Sequence, residues 1–438
     1  MRTLEDLPAV PGAPLIGNAL QFRRDRLDFL TNVAREYGDA VRFRIGPADV
    51  VLLSHPDAIK DVLTLRQADF RKGPVLQRAR AILGDGLLTS EGEEHLRDRR
   101  LLQSAFHRGR MARYADEMVD VADHMVRGWR PGQPIDVHEQ TVRTTLTVAG
   151  RTLFGTHVEG DVVAVSGALE DLLSAYGVLM LPLGRWLVQL PPTQQRLRRG
   201  TGVLDHLTER LISERRAEGG EPGDDLLSLL VAHGDACKAR DHVVTMLLAG
   251  HETTANALAF ACHLLARHER IQDDVAAEVH EVCGAAGIPT ADHVERLPSV
   301  RTVIAEALRL FPPAWAMGRQ VHRPTEVGGL RLPAGAVAVL PQWVVHRDPR
   351  WWSDPDTFDP SRFGPSARPR PRFAYFPFGG GTRQCIGEGF AWTEGVLTLA
   401  IILARWRLHP ISGRETRLDP LLTLRPKRGV WVVPTPRT

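Results

Sequence analysis

Apolar positions recur every three to four residues through most of residues 118–230, the spacing that lays one face of an α-helix against a core. The rhythm breaks at Pro131-Gly132, Gly155 and Pro191-Pro192, where a fixed φ or a missing side chain disfavours continued helix. Residues 28–37, 91–102 and 301–310 share the period, and residues 240–270 sustain it longest. Two runs near the N-terminus differ. Residues 40–45 and 50–54 are strand-like, separated by Gly46-Pro47, and His55-Pro56-Asp57 opens a further helix. Residues 327–339 read as a β-hairpin. Residues 7–18, rich in proline and glycine, read as an extended surface segment. The pattern predicts a helical body with a small β-rich region near its start.

Length alone suggests two or three domains for 438 residues. A net charge of only +3, with no basic stripe interleaved with aromatics, argues against a nucleic-acid partner. Cys237, Cys262, Cys283 and Cys385 are too scattered for a disulfide framework or a paired zinc site, which fits a reducing cytoplasm. Residues 1–8 lack the apolar core of a signal peptide, and the longest uncharged stretch, around 174–184, is interrupted by Pro182. No membrane anchor is therefore predicted.

The chemistry concentrates in Phe378-Gly379-Gly380-Gly381-Thr382-Arg383-Gln384-Cys385-Ile386-Gly387, a glycine-rich loop that runs into an apolar helical segment. Consecutive glycines can take positive backbone angles and bring main chain close to a flat ligand. A cysteine at the start of a helix sits near unpaired N–H groups and a positive dipole end, both of which favour thiolate. The plainer reading is a glycine-rich turn around a buried cysteine. The whole string, however, matches Phe-x-x-Gly-x-Arg-x-Cys-x-Gly, and so resembles the cysteine loop of the cytochrome P450 family. That resemblance implies an axial thiolate from Cys385 on the iron of haem b, with Phe378 and Gly379 against the ring and Arg383 paired with a propionate.

Further motifs follow in the family's order. His95 and Arg99, four apart on one helix face, are on their own an ordinary solvated pair, but they resemble the family's propionate-binding pattern. Ala249-Gly250-His251-Glu252-Thr253-Thr254 resembles the motif of its central helix, in which glycine makes room for the ring. The resemblance makes Thr253 the hydroxyl beside bound dioxygen and Glu252 the acid that feeds it protons through water. A zinc-protease reading of His251-Glu252 fails, because Ala255 stands where the second His is required. Glu306 and Arg309 are alone a weak pair, but followed by Phe311-Pro312-Pro313 they resemble a buried structural network whose third member is Arg362. Arg319, on its own readable as a surface arginine, resembles in position the residue from which family members reach a haem propionate.

Ile82, Leu83, Leu87, Leu248, Trp315 and Leu421 are the candidate substrate walls, with core packing the alternative for those in the loop 73–90. Residues 176–183 are either core or an apolar access lid. Arg368, Arg370 and Arg372 are either a solvated loop or the rim where an acidic electron donor docks.

The resemblance covers nearly the whole chain and implies one α+β, mainly α domain over 1–438. Its landmarks are a proline-rich leading segment (1–20), a central helix (240–270) and a haem-thiolate loop with the start of the following helix (376–391). The implied activity is monooxygenation; the apolar pocket loops, with no arranged cluster of carboxylates or bases, favour a terpenoid, steroid-like or polyketide skeleton of secondary metabolism over a polar metabolite, a fatty acid being the alternative. O2 is the co-substrate, and NAD(P)H-derived electrons arrive through a separate ferredoxin and ferredoxin reductase to a cytoplasmic monomer. Two alternatives stay open: a related enzyme performing coupling, desaturation, isomerisation or peroxygenation, and a non-catalytic haem sensor or carrier.

Overall fold

The computed structural model describes residues 2–156, 160–179, 184–218, 225–284 and 287–437. In chain order the principal helices are α1 (Arg26–Tyr37), α2 (Pro74–Leu83), α3 (Gly92–Gln103), α4 (Arg108–Arg127), α5 (Val137–Leu153), α6 (Val162–Leu179), α7 (Pro191–Glu218), α8 (Ala236–Leu265), α9 (Glu269–Cys283), α10 (Pro298–Leu310) and α11 (Glu388–Arg405). Their caps follow from local sequence. Asp25, Asp136 and Asp235 each accept a backbone N–H of the first turn of α1, α5 and α8. Pro74, Pro191 and Pro298 stand in the first turn of their helices, where the missing N–H costs nothing. Pro191-Pro192 therefore starts a helix rather than only ending one.

A five-stranded sheet collects distant pieces of chain: β1 (Ala40–Ile45), β2 (Ala48–Leu53), β3 (Phe70–Lys72), β4 (Met317–Val321) and β5 (Val337–Leu340), in the order β1-β2-β5-β4-β3. Strands β2 and β5 pair in parallel and the other neighbours are antiparallel. Alternating Val41, Phe43, Val50 and Leu52 bury one face of the first hairpin against Leu27, Leu30 and Val33 of α1. The later hairpin is shorter than its sequence suggests. It comprises Thr325–Val327 and Leu330–Leu332, turned by Gly328 and Gly329 at positive φ, while β5 joins the large sheet instead. Near the C-terminus β6 (Leu418–Pro420) and β7 (Leu424–Pro426) form a small hairpin.

Two more expectations change. Residues 74–83, read as part of a loop, form the helix α2. The segment 240–270 is two helices: α8 begins earlier, at the Asp235 cap, and ends at Leu265 before α9 starts at Glu269. Helix α6 is apolar and long enough to cross a membrane by length and composition. Half of it is buried in the protein, however, and Asp171 on it forms a two-pronged ion pair with Arg199 of α7 (2.6 and 2.7 Å). That is the behaviour of a core helix.

Candidate active site

The cysteine loop folds before α11 into a single turn of 3-10 helix, and Gly379 (φ +75°) and Gly381 (φ +69°) adopt angles open chiefly to glycine. Gly380, by contrast, is extended. Its constraint is space, since a Cβ there would lie 2.7 Å from the Phe373 ring, and one on Gly381 would lie 1.8 Å from the Leu63 carbonyl. Gly380 and Gly381 thus let the loop press on its own protein support, which differs from the close approach to a ligand expected of all three, while Gly379 lines the cavity. Cys385 N donates to Phe378 O at 2.9 Å, and this closes the loop and turns the thiol toward a cavity of about 900 Å³. The side chain is exposed to that cavity. Burial within the protein pushes the thiol up despite the Gly387 N–H and, more weakly, Arg99 pulling it down. The helix end alone does not yield thiolate; a bound metal cation would.

Around the cavity stand Lys72, His95, Arg99, Arg319 and Arg383. Arg319 is buried with its Nη1 on Gly318 O, and among the described residues no carboxylate lies within ion-pair distance of it. Burial, then Arg383, lowers its pKa to about 10. Lys72 lies directly across the β3–β4 ladder from Arg319, a like-charge juxtaposition that a sheet disfavours. Its Nζ donates to Leu87 O (2.8 Å) and Ser90 O (2.7 Å), and burial lowers its pKa to about 7. His95 has Nδ1 3.2 Å from Leu87 O and 3.4 Å from Lys72 Nζ, and its buried Nε2 has no protein partner. Burial, Lys72 and Arg383 hold it neutral, near pKa 4. Arg99 donates to Gln384 O (2.7 Å), and Arg383 pairs with Glu91 rather than standing free.

Four cations against one carboxylate, with an orphaned imidazole nitrogen, suit a bound anion. Sequence reading missed Lys72 and Glu91. Lys72→Met is expected to speed loss of the haem implied by the cysteine-loop resemblance to an acceptor such as apomyoglobin by roughly tenfold, the value of one charge-assisted hydrogen bond; an unchanged rate would remove Lys72 from the site.

Leu248, Ala249, Gly250 and Thr253 of α8 line the same cavity as the thiol. A Cβ on Gly250 would meet nothing within 4 Å, so the helix leaves open space there. Thr253 Oγ1 donates back to Ala249 O (2.7 Å), while Thr141 and Thr145 of α5 donate to the Ala255 and His251 carbonyls (3.1 and 3.0 Å). Glu252 lies in the wall behind. Buried, it accepts from Thr423 Oγ1 at 2.8 Å, and its other oxygen has no partner. Burial raises its pKa against the pull of Thr423 and Arg425.

The predicted walls divide. Leu87, Leu248, Trp315 and Leu421 line the cavity, and Trp315 Nε1 donates to Leu421 O (3.1 Å). Ile82 and Leu83 do not; they pack in the core beside Leu172, Leu173 and Tyr176, because the helical twist of α2 turns them toward α6. Tyr176, Gly177 and Leu179 line the cavity, and residues 180–183 of the expected lid lie outside the described residues.

Beneath the loop, Glu306 accepts from Arg309 Nε (2.7 Å) and Nη2 (2.8 Å) and from Asp359 N (3.0 Å), with Arg362 Nε 3.3 Å away. Arg309 also donates to the carbonyls of His346, Pro355 and Thr357. His346 Nε2 then accepts from Phe376 N (3.0 Å), two residues before Phe378. Arg370 departs from its expected place: its guanidinium stacks on Trp352 (4.1 Å), leaving Arg368 and Arg372 as the exposed cations before the loop.

A large flat dianion with a thiol-seeking metal at its centre fits this set: a cysteine open to the cavity, a side-chain-free patch at Gly250 and a cationic rim. Haem has that chemistry. A family model described as cytochrome P450 matches residues 8–433. The chain is 39% identical to cyclooctatin synthase of Streptomyces melanosporofaciens, over 97% of this chain and 95% of that protein. It is 37% identical to cyclooctat-9-en-7-ol 5-monooxygenase of the same organism (92% and 90% covered), and 34% identical to pentalenene oxygenase of Streptomyces avermitilis (98% and 97%).

Proposed function

The chain belongs to the cytochrome P450 family, and from that premise we propose a bacterial-type monooxygenase that inserts one oxygen atom from O2 into an apolar terpenoid skeleton. The observation that carries the substrate class is the cavity itself. Its walls include Phe22, Leu248, Trp315, Val337, Leu421 and Leu422, a surface that rewards burial of hydrocarbon, and among the described lining residues the charged side chains outside the rim are Arg23, Arg26 and Arg78, with no carboxylate. Names given to the relatives, a cyclooctat-9-en-7-ol monooxygenase and a pentalenene oxygenase, point the same way.

Haem b, ligated by thiolate, supplies reduction of dioxygen and transfer of one of its atoms. The protein's own part is positioning and protons. In this reading Cys385 would be the metal ligand, and Arg99, Arg319 and Lys72 would neutralise the propionates, with the uncharged His95 and the Glu91-paired Arg383 beside them. Thr253, anchored to Ala249 O, presents a hydroxyl on the cavity side, and Glu252 restores the protons that leave by that route. The Glu306–Arg309–Arg362 network fixes the support under the loop. Turnover under 18O2 tests the reading: one labelled atom enters the product, whereas unlabelled product would contradict it.

A small acidic ferredoxin is the electron donor proposed. Arg368 and Arg372 are exposed just before the loop, and Arg97 and Arg100 are exposed on the helix that carries Arg99. A basic face of this kind speeds encounter with an acidic partner. Reversing Arg368 and Arg372 to Glu is expected to slow first-electron transfer from a ferredoxin about tenfold at low salt and much less at high salt. An effect indifferent to ionic strength would remove this face from donor docking.

A further inference from the structure

The turn between β6 and β7 touches both the cavity and the acid. Leu421, Leu422 and Thr423 line the cavity, yet Thr423 Oγ1 also reaches Glu252 Oε1 at 2.8 Å. The turn is fastened on its other sides. Trp315 Nε1 donates to Leu421 O (3.1 Å), Arg26 donates to Pro420 O, and Leu424 N donates to Pro313 O (2.9 Å). The hydroxyl is therefore delivered to the carboxyl by a braced element. Glu252 itself does not line the cavity, and its second oxygen is buried and unpartnered. One hydrogen bond fixes where its proton-carrying group rests.

We propose that Thr423 is the positioning residue of the proton-delivery acid: it holds the Glu252 carboxyl in the wall beside Thr253 and sets the pH at which that carboxyl gives up its proton. This rests on the monooxygenase reading above. A hydroxyl donating to a carboxylate favours the ionised form, so its removal raises the pKa. Arg425 acts in the same direction as Thr423, whereas Glu170 of α6 and Asp419 of β6 oppose it. None of these three charges is altered by a change at Thr423.

The test uses the holoenzyme with Thr423→Val, which keeps the shape and removes the donor, and Thr423→Ser, which restores it. The infrared carbonyl stretch of protonated Glu252, assigned by its loss in Glu252→Gln, reports the acid directly. In Thr423→Val its titration midpoint is expected to rise by about one pH unit, the equivalent of one hydrogen bond to a charged group. Product formed per NAD(P)H should fall roughly three- to tenfold as the acid loses its orientation. Thr423→Ser should return both toward wild type. An unmoved midpoint in Thr423→Val, or a serine variant that behaves like valine, overturns the proposal. Full coupling in Glu252→Gln would instead overturn the relay role of Glu252, while the infrared midpoint would still decide whether Thr423 holds the carboxyl.

Discussion

Cys385→Ala is expected to leave a folded protein with no thiolate-type carbon monoxide spectrum and with product formation reduced by more than about a hundredfold. The fold should survive because the loop closes through main chain: Cys385 N donates to Phe378 O, and Gly379 and Gly381 set the turn whatever the side chain at 385. The thiol faces the cavity rather than a packed core, so little contact is lost. The cationic rim remains as well, so some haem binding should persist without its protein metal ligand. Absorption spectra of the reduced, carbon monoxide-bound variant, with melting temperature alongside, separate the two effects. A retained thiolate spectrum would place the ligand elsewhere, and an unfolded variant would make the cysteine structural.

Glu306→Gln is expected to be the most destabilising single change among the residues singled out. The carboxylate is fully buried, takes two hydrogen bonds from Arg309, stands 3.3 Å from Arg362 and accepts from Asp359 N. Removing it strands the Arg309 guanidinium inside the protein, at a cost of about 3–5 kcal/mol, while Arg362 keeps Asp359 within 3.9 Å. Total stabilities are commonly only about 5–15 kcal/mol. The variant should therefore accumulate poorly and bind haem incompletely, since the same network reaches His346 and, through it, Phe376 N. Denaturant midpoints measure the loss. A change under about 1 kcal/mol would mean that the network relaxes onto the carbonyls of His346, Pro355 and Thr357.

Motifs carried on one stretch of chain were legible. The cysteine loop, the Ala249–Thr254 string and the Glu306/Arg309 pair each pack their chemistry into ten residues or fewer, and local spacing on a helix or loop predicts which side chains share a face. Contacts between distant strands were not. Lys72 belongs to a three-residue strand whose partner lies about 250 positions away, and neither its burial nor its placement opposite Arg319 leaves a periodic trace. Thr423 is unremarkable in sequence and acquires its contact only when a hairpin folds over α8. Direction within a helix also escaped: Ile82 and Leu83 looked suited to a cavity, but α2 presents them to α6, while Leu76 and Leu87 reach the cavity. Arg370 shows the same limit on a loop, where an aromatic neighbour far along the chain, Trp352, captured a cation expected on the surface.

The most direct test is a titration of the purified ferric protein with terpenoid hydrocarbons and their alcohols, alongside steroids, macrolide cores and fatty acids, following the Soret band. The apolar walls at Leu248, Trp315, Leu421 and Leu422 predict a low-spin to high-spin shift that saturates with members of the terpenoid set. Saturation with fatty acids alone, or no shift with any compound from a protein whose thiolate spectrum is sound, would contradict the terpenoid assignment.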